Sequence, residues 1–191
     1  SMCNDCNCEN GTRYYATAAK VGKPAPKFEM EALMPDGSFG TVSLEENIAA
    51  GKWTILFFYP LDFTFVCPTE IKSMSDAQEQ FDALNTSVIS VSTDSVYSHL
   101  AWTNTPALGK IKHPMASDGN HVVSDDYGVL NEDDGTAVRG LFIIDPEGKL
   151  VQATINDNSV GRNVEEVVRL LEAFQTGGLA PCGWTPGDNL L

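Results

Sequence analysis

Trp53-Thr54-Ile55-Leu56-Phe57-Phe58-Tyr59-Pro60 runs directly into Leu61-Asp62-Phe63-Thr64-Phe65-Val66-Cys67-Pro68-Thr69-Glu70. The first half is continuously apolar and rich in aromatic and β-branched residues, the pattern of a strand buried on both faces. The second half is a short loop that ends in a cysteine followed by proline. Beyond it, Ile71, Met74, Phe81 and Leu84 recur at helical offsets, so the spacing predicts one helix over Cys67–Leu84. Pro68 suits its first turn, where a missing N–H costs little. A doubly buried strand feeding a helix through a short loop is the unit from which layered α/β domains are built.

The rest of the chain extends that unit. Upstream, Phe28–Leu33 and Phe39–Leu44 alternate around the turn signal Pro35-Asp36-Gly37, which reads as a hairpin. Downstream, Ser87–Thr93 reads as a second buried strand, Val96–Thr103 as a helix and Ala137–Asp145 as a third strand. Pro146-Glu147-Gly148 turns into a fourth strand at Leu150–Ile155. Asn163 with Glu166 three residues later resembles a capping box. It opens a helix whose Val164, Val167, Val168, Leu171 and Phe174 form one apolar face, ended by Gly177-Gly178. The expected architecture is a single three-layer α/β domain over residues 21–176, with a mixed central sheet and an N-terminal hairpin. Residues 1–20 read as a disordered, cysteine-containing tail and residues 177–191 as a C-terminal extension.

The charge balance narrows the partners. The 191 residues carry 12 Lys and Arg against 26 Asp and Glu, a net charge of −14. Such a surface repels phosphate backbones and anionic lipid, so neither nucleic acid nor membrane is an expected partner. No apolar run approaches the ~20 residues that span a bilayer, and no secretory leader is visible. The five cysteines, at 3, 6, 8, 67 and 182, are odd in number and crowded at one end. That is not the framework of a disulfide-stapled secreted domain, and a cytoplasmic location is expected.

Cys67 is the candidate for chemistry. At a helix N-terminus a cysteine faces unpaired backbone N–H groups and the positive end of the helix dipole. Both favour the thiolate, the nucleophilic form. A buried structural cysteine is the alternative; the strand-to-helix position and the flanking prolines favour chemistry.

Pro60-x-x-x-Thr64-x-x-Cys67 resembles the active-site signature of the peroxiredoxins, and the full string from Phe58 to Glu70 is similar to their typical two-cysteine branch, the alkyl hydroperoxide reductase peroxidase-subunit type. The resemblance continues through Ser117-Asp118, Asp126–Leu130, Arg139–Asp145, Asn156-Asp157 and Val160–Asn163, covering about Val21 to Gly187. It implies a thioredoxin-like fold and a thiol-dependent peroxidase that reduces hydrogen peroxide and organic hydroperoxides without a cofactor. Cys67 would be the nucleophile and become a sulfenic acid. Thr64 would place its hydroxyl near the sulfur and the peroxide, Pro60 would shield the pocket, and Arg139 would lie beside the thiolate. Glu70 and Arg162 resemble the pair that orients that arginine.

The resemblance further implies that Cys182, on a C-terminal resolving arm, attacks the sulfenic acid of a partner subunit. The minimal unit is then a homodimer that associates into a decamer. A thiol reductant protein, thioredoxin-like or a dedicated flavoprotein disulfide reductase, restores the dithiol. The family usually reads Val-Cys-Pro-x-x-Trp, four residues from Cys to Trp, whereas Ala180-Pro181-Cys182-Gly183-Trp184 separates them by two. A redox-regulated holdase chaperone is the alternative activity. A dithiol oxidoreductase of the C-x-x-C type is disfavoured, because position 70 is Glu. Cys3, Cys6 and Cys8 form C-x2-C-x-C, a spacing open to a soft metal or a redox relay. No fourth ligand is local, and His99, His113 and His121 show no ligand spacing, so free thiols and no bound metal are expected.

Overall fold

A computed structural model describes residues 18–191, together with the backbone of two short strands before them, β1 (Cys6–Glu9) and β2 (Thr12–Tyr15). Most of the expected 1–20 tail, including Cys3 and the side chains of Cys6 and Cys8, lies outside the described residues.

The chain then forms β3 (Glu29–Leu33), β4 (Phe39–Ser43), α1 (Leu44–Ala49), β5 (Trp53–Phe58), α2 (Cys67–Asp76), α3 (Gln78–Ala83), β6 (Thr86–Ser92) and α4 (Val96–Thr103). It continues with β7 (Met115–Ser117), α5 (Val122–Asp126), β8 (Leu130–Asn131), β9 (Thr136–Ala137), β10 (Arg139–Ile144), β11 (Leu150–Asn156) and α6 (Val164–Gln175). Seven strands make the central sheet, in the order β11-β10-β5-β6-β7-β3-β4. β5, β6 and β7 are parallel, and the outer pairings are antiparallel. The sheet is therefore mixed, and the expected hairpin is β3–β4, closed by a turn in which Gly37 takes a positive φ of 87°.

Why β5 is apolar throughout is plain from its two faces. Ile55, Phe57 and Tyr59 pack with Ile71, Met74, Phe81, Trp102 and Leu171, from helices α2, α3, α4 and α6. Leu56 and Phe58 point the other way, against Phe28, Leu44, Tyr127 and Phe142. Successive side chains leave opposite faces of a strand, so burial on both sides demands an unbroken apolar run. Cys67 belongs to the first of these two clusters.

Three expectations change. The single helix over Cys67–Leu84 is two helices, because the backbone at Ala77 leaves the helical region at ψ 5° before α3 begins. The hairpin's second strand stops at Ser43, whose hydroxyl accepts from the Glu46 amide at 3.2 Å and starts α1 at Leu44. At Asn163 the cap is half of a capping box: its side chain accepts from the Glu166 amide, while the Glu166 carboxylate turns away to Arg169. Among the described residues no helix is long and apolar enough to cross a membrane.

Candidate active site

The site lies where parallel strands end. β5 delivers the chain into the loop 59–66, and α2 begins at Cys67. β10 runs antiparallel to β5, with Leu141 opposite Phe57. That pairing carries the first residue of β10, Arg139, to the carboxyl end of β5, beside the loop, although 72 positions separate it from Cys67. The residue after it is glycine for a steric reason. A Cβ on Gly140 would meet Val129 Cγ1 at 2.6 Å.

The Cys67 sulfur is fully buried. Arg139 Nη1 donates to it at 3.3 Å and to Glu70 Oε1 at 2.7 Å, while Arg139 Nε donates to the Asn158 carbonyl at 2.8 Å. Glu70, one helical turn beyond Cys67, receives Arg162 from three directions: Nε at 2.7 Å, Nη2 at 3.0 Å and the backbone amide at 2.6 Å. Arg162 also donates to the Gly140 carbonyl and stacks 3.6 Å above the Phe57 ring. Burial pulls the Arg162 guanidinium below the usual arginine range, against the pull of Glu70. Two buried guanidiniums face one buried carboxylate.

Thr64 and Pro60 lie on the loop between β5 and α2. Pro60 is buried and Thr64 half-buried. The Thr64 hydroxyl donates to the Leu61 carbonyl at 2.9 Å, so its proton is committed and its lone pairs are left as acceptors. Phe63 sits at φ 59°, a left-handed conformation that a bulky residue rarely adopts.

A second buried network holds the loop from below. Asp62 accepts from the Tyr59 hydroxyl at 2.6 Å and pairs with His99 Nδ1 at 2.7 Å; its amide donates to Asp94 Oδ2 at 2.9 Å. His99 Nε2 meets the Ala116 carbonyl at 3.0 Å. Burial alone would push His99 down, but the Asp62 carboxylate and the Ala116 carbonyl outweigh it, and the net shift is upward. Sequence reasoning passed over this network. Asp62 stood inside the decisive stretch, but nothing local marked His99 as its partner 37 positions away.

Cys182 is elsewhere. It is an exposed free thiol in the segment that follows α6, whereas Cys67 is a buried one. The structure thus brings together Cys67, Arg139, Glu70 and Arg162, with Pro60 and Thr64 on the loop that leads into α2 and Cys182 on the segment after α6. Among the described residues no cluster of His, Cys, Asp and Glu could hold a metal ion.

Residues 21–153 match the AhpC/TSA family. Peroxiredoxin prdx-2 of Caenorhabditis elegans is 55% identical over 181 residues, covering 91% of this chain and 89% of that protein. Peroxiredoxin-1 of Gallus gallus is 51% identical over 181 residues, covering 91% and 90%. Among solved structures, the reduced 2-Cys peroxiredoxin of Plasmodium vivax superposes with a TM-score of 0.86 at 40% identity, covering 88% of this chain and 91% of that one. The AhpC of Enterococcus faecalis gives 0.78 at 45%, covering 83% and 93%.

Proposed function

From a chain that belongs to the AhpC/TSA family, has the thioredoxin-like fold and is a thiol-dependent peroxidase, we propose the following division of labour among its residues. Cys67 is the thiol that the hydroperoxide oxidises. Its thiolate attacks one peroxide oxygen; the S–O bond forms as the O–O bond breaks, and the other oxygen leaves as water or alcohol after taking a proton. Sulfur is oxidised to the sulfenic acid and the peroxide is reduced.

Arg139 stabilises both the thiolate and the negative charge that grows on the leaving oxygen, from a site that Pro60 keeps dry. Thr64, its own proton committed to Leu61, accepts from the peroxide O–H and orients it. Glu70 positions Arg139, and Arg162 holds Glu70. The observation that carries this reading is Arg139 Nη1 lying 3.3 Å from Cys67 Sγ while bound to a buried carboxylate. No surface ion pair achieves that orientation.

Cys182 resolves the sulfenic acid on a second subunit. Its thiolate attacks Cys67 Sγ, a disulfide forms, and hydroxide leaves and is protonated to water. A thiol reductant, thioredoxin-like or a flavoprotein disulfide reductase, then returns both sulfurs to thiols. A cytoplasmic location fits a disulfide that must be reduced in every cycle.

Two surfaces support a homodimer that assembles further into a decamer. β11 is an outer strand of the sheet, its outer edge bonded to Gly22 and Lys23 at Leu150 and, among the described residues, open beyond it. Beside it, a depression of about 260 Å³ is lined by Leu141, Thr154, Asn156, Arg162 and Leu170. At the active-site loop, Phe65 is 96% exposed and Phe63 57% exposed, an apolar pair that invites a further copy.

The test is a non-reducing gel with a peroxide-consumption assay. The wild type should give a disulfide dimer after one equivalent of peroxide. Cys67→Ser should lose both consumption and dimer. Cys182→Ser should consume one equivalent and form no dimer. Consumption that persists in Cys67→Ser would refute the assignment of the nucleophile.

A further inference from the structure

The segment that carries Cys182 is folded back onto α6 and closed on itself. Trp184 is only 5% exposed, its indole Nε1 donates to the Asp188 carbonyl at 3.1 Å, and the Leu191 amide donates to the Leu179 carbonyl at 2.9 Å. Asp188 Oδ2 in turn accepts from the Thr185 amide and hydroxyl. All of these bonds are internal to residues 179–191. Among the described residues, one hydrogen bond ties that segment to the rest of the chain: Arg169 Nη1 donates to the Trp184 carbonyl at 2.8 Å, two residues after Cys182.

The donor side of that bond is prebuilt. Arg169 is held by both oxygens of Glu166, Nε to Oε2 at 2.6 Å and Nη2 to Oε1 at 2.7 Å. Two-point pairing fixes the plane of the guanidinium and aims the remaining nitrogen at the arm. Glu166 is free to do this because it does not close the capping box at Asn163.

Resolution needs motion. A disulfide brings two α-carbons to within about 4.4–6.8 Å. Cys67 is fully buried, and Cys182 is exposed on the segment after α6, so at least one must leave its place. The two are held very unequally. Cys67 begins a helix tied down by a buried four-residue charge cluster; Cys182 rides on a segment with one polar tether and one buried indole.

We propose that Arg169 is a positioning residue that latches the arm against α6 and thereby sets how fast Cys182 is delivered to the sulfenic acid. The consequence is a kinetic branch. Cys67 sulfenic acid either meets the Cys182 thiolate, forming the disulfide and releasing water, or meets a second hydroperoxide, which is reduced while sulfur rises to the sulfinic acid. A latch that holds the arm longer favours the second branch.

This inference rests on Cys182 being the resolving thiol, and the experiment separates the two. Wild type, Arg169→Ala, Arg169→Lys and Glu166→Gln are mixed with hydrogen peroxide in rapid quench. Sulfenic acid, disulfide and sulfinic acid are read by intact mass. The rate of sulfenic acid formation should be the same in all four, because Arg169 touches nothing at Cys67. Disulfide formation should be about fivefold to tenfold faster in Arg169→Ala, the effect of losing one hydrogen bond of ordinary strength. Arg169→Lys and Glu166→Gln should lie between. The sulfinic fraction at high peroxide should fall in the same order.

Backbone hydrogen exchange over 179–191 should rise in Arg169→Ala while exchange in α2 stays unchanged, which excludes a general loss of fold. Disulfide formation that is unchanged or slower in Arg169→Ala would overturn the latch, even with resolution still dependent on Cys182. A disulfide to Cys67 that survives in Cys182→Ser would overturn the reading of the arm and the latch with it.

Discussion

The two cysteines described in full sit in opposite kinds of environment. Cys67 is enclosed, at the start of a helix, under a guanidinium that is itself held by a buried carboxylate and a backbone carbonyl. Cys182 is exposed, in a turn, on a segment that, among the described residues, a single side-chain hydrogen bond tethers. The difference suits the two roles proposed for them. A nucleophile that must stabilise charge in a transition state needs fixed dipoles, and fixing them requires buried, mutually satisfied groups. A thiol that must travel to its target needs the reverse. The protein spends its polar network on the first and leaves the second nearly free.

The sharpest way to break the contrast is to remove the charge at the centre of the enclosed site. Glu70→Gln keeps the shape but leaves Arg139 and Arg162, both buried, without the carboxylate they share. Breaking one side of a buried pair typically costs about 3–5 kcal/mol, because the stranded charge cannot be resolvated. Urea unfolding should show a loss in that range. Peroxide reduction should fall by about a hundredfold or more, since Arg139 loses the partner that aims it. The equivalent change on the arm, Asp188→Asn, should leave both nearly unchanged, because Asp188 is an exposed group bonded only within its own segment.

Arg139→Ala should come next. Glu70 keeps Arg162, so stability should fall less than in Glu70→Gln. The donor to sulfur is gone, however, and peroxide reduction should slow by at least tenfold. Removing one transition-state donor commonly costs on the order of 3 kcal/mol. Arg139→Lys should not restore the rate. An ammonium has three donors, but all on one atom, and cannot span the separate Nε and Nη1 positions that reach the Asn158 carbonyl and the Cys67–Glu70 pair. A stopped-flow rate near wild type in either variant would remove Arg139 from the chemistry. Thr64→Val should be milder, several-fold, because it removes an acceptor and no charge, and Thr64→Ser should recover most of the loss.

What could be read from the sequence was what is local. β5, its loop and the start of α2 follow from an unbroken apolar run ended by proline and cysteine. The cap of α6 follows from Asn163, and α4 occupies the predicted Val96–Thr103. The break at Ala77 did not show, because Met74, Phe81 and Leu84 keep a near-helical spacing across it. Arg139 and Arg162 reach Glu70 over 69 and 92 positions, and only the resemblance to a family could bring them together beforehand. Arg169 was illegible for a different reason. In sequence it is an ordinary i,i+3 partner of Glu166 on a helix surface, and its second bond goes to a carbonyl, which carries no side-chain signature.

The last and smallest prediction concerns the two fully buried histidines, which repeat the contrast between tied and untied groups. His99 supports the Cys67 loop through Asp62, and its proton affinity is raised. His113 is buried with both ring nitrogens unpartnered among the described residues, and burial pushes it down to about 4. The two therefore act on stability with opposite signs. For His99 the folded state holds its proton more tightly than the unfolded chain. Its contribution is fully present below about pH 6.5 and is lost as pH rises through the folded value. For His113 the unfolded chain takes up a proton that the fold refuses between about pH 6.5 and 4, so acidification through that window costs stability. Each involves one proton, and neither slope can exceed about 1.4 kcal/mol per pH unit. Denaturant titrations from pH 4 to 9 should show His113→Gln flattening the acid limb. His99→Gln should destabilise more at pH 6 than at pH 9, and the same variant should slow peroxide reduction, because the loop that carries Thr64 loses its anchor. A His113→Gln protein whose acid limb matches the wild type would show that the imidazole is protonated in the fold, and therefore that a partner reaches it.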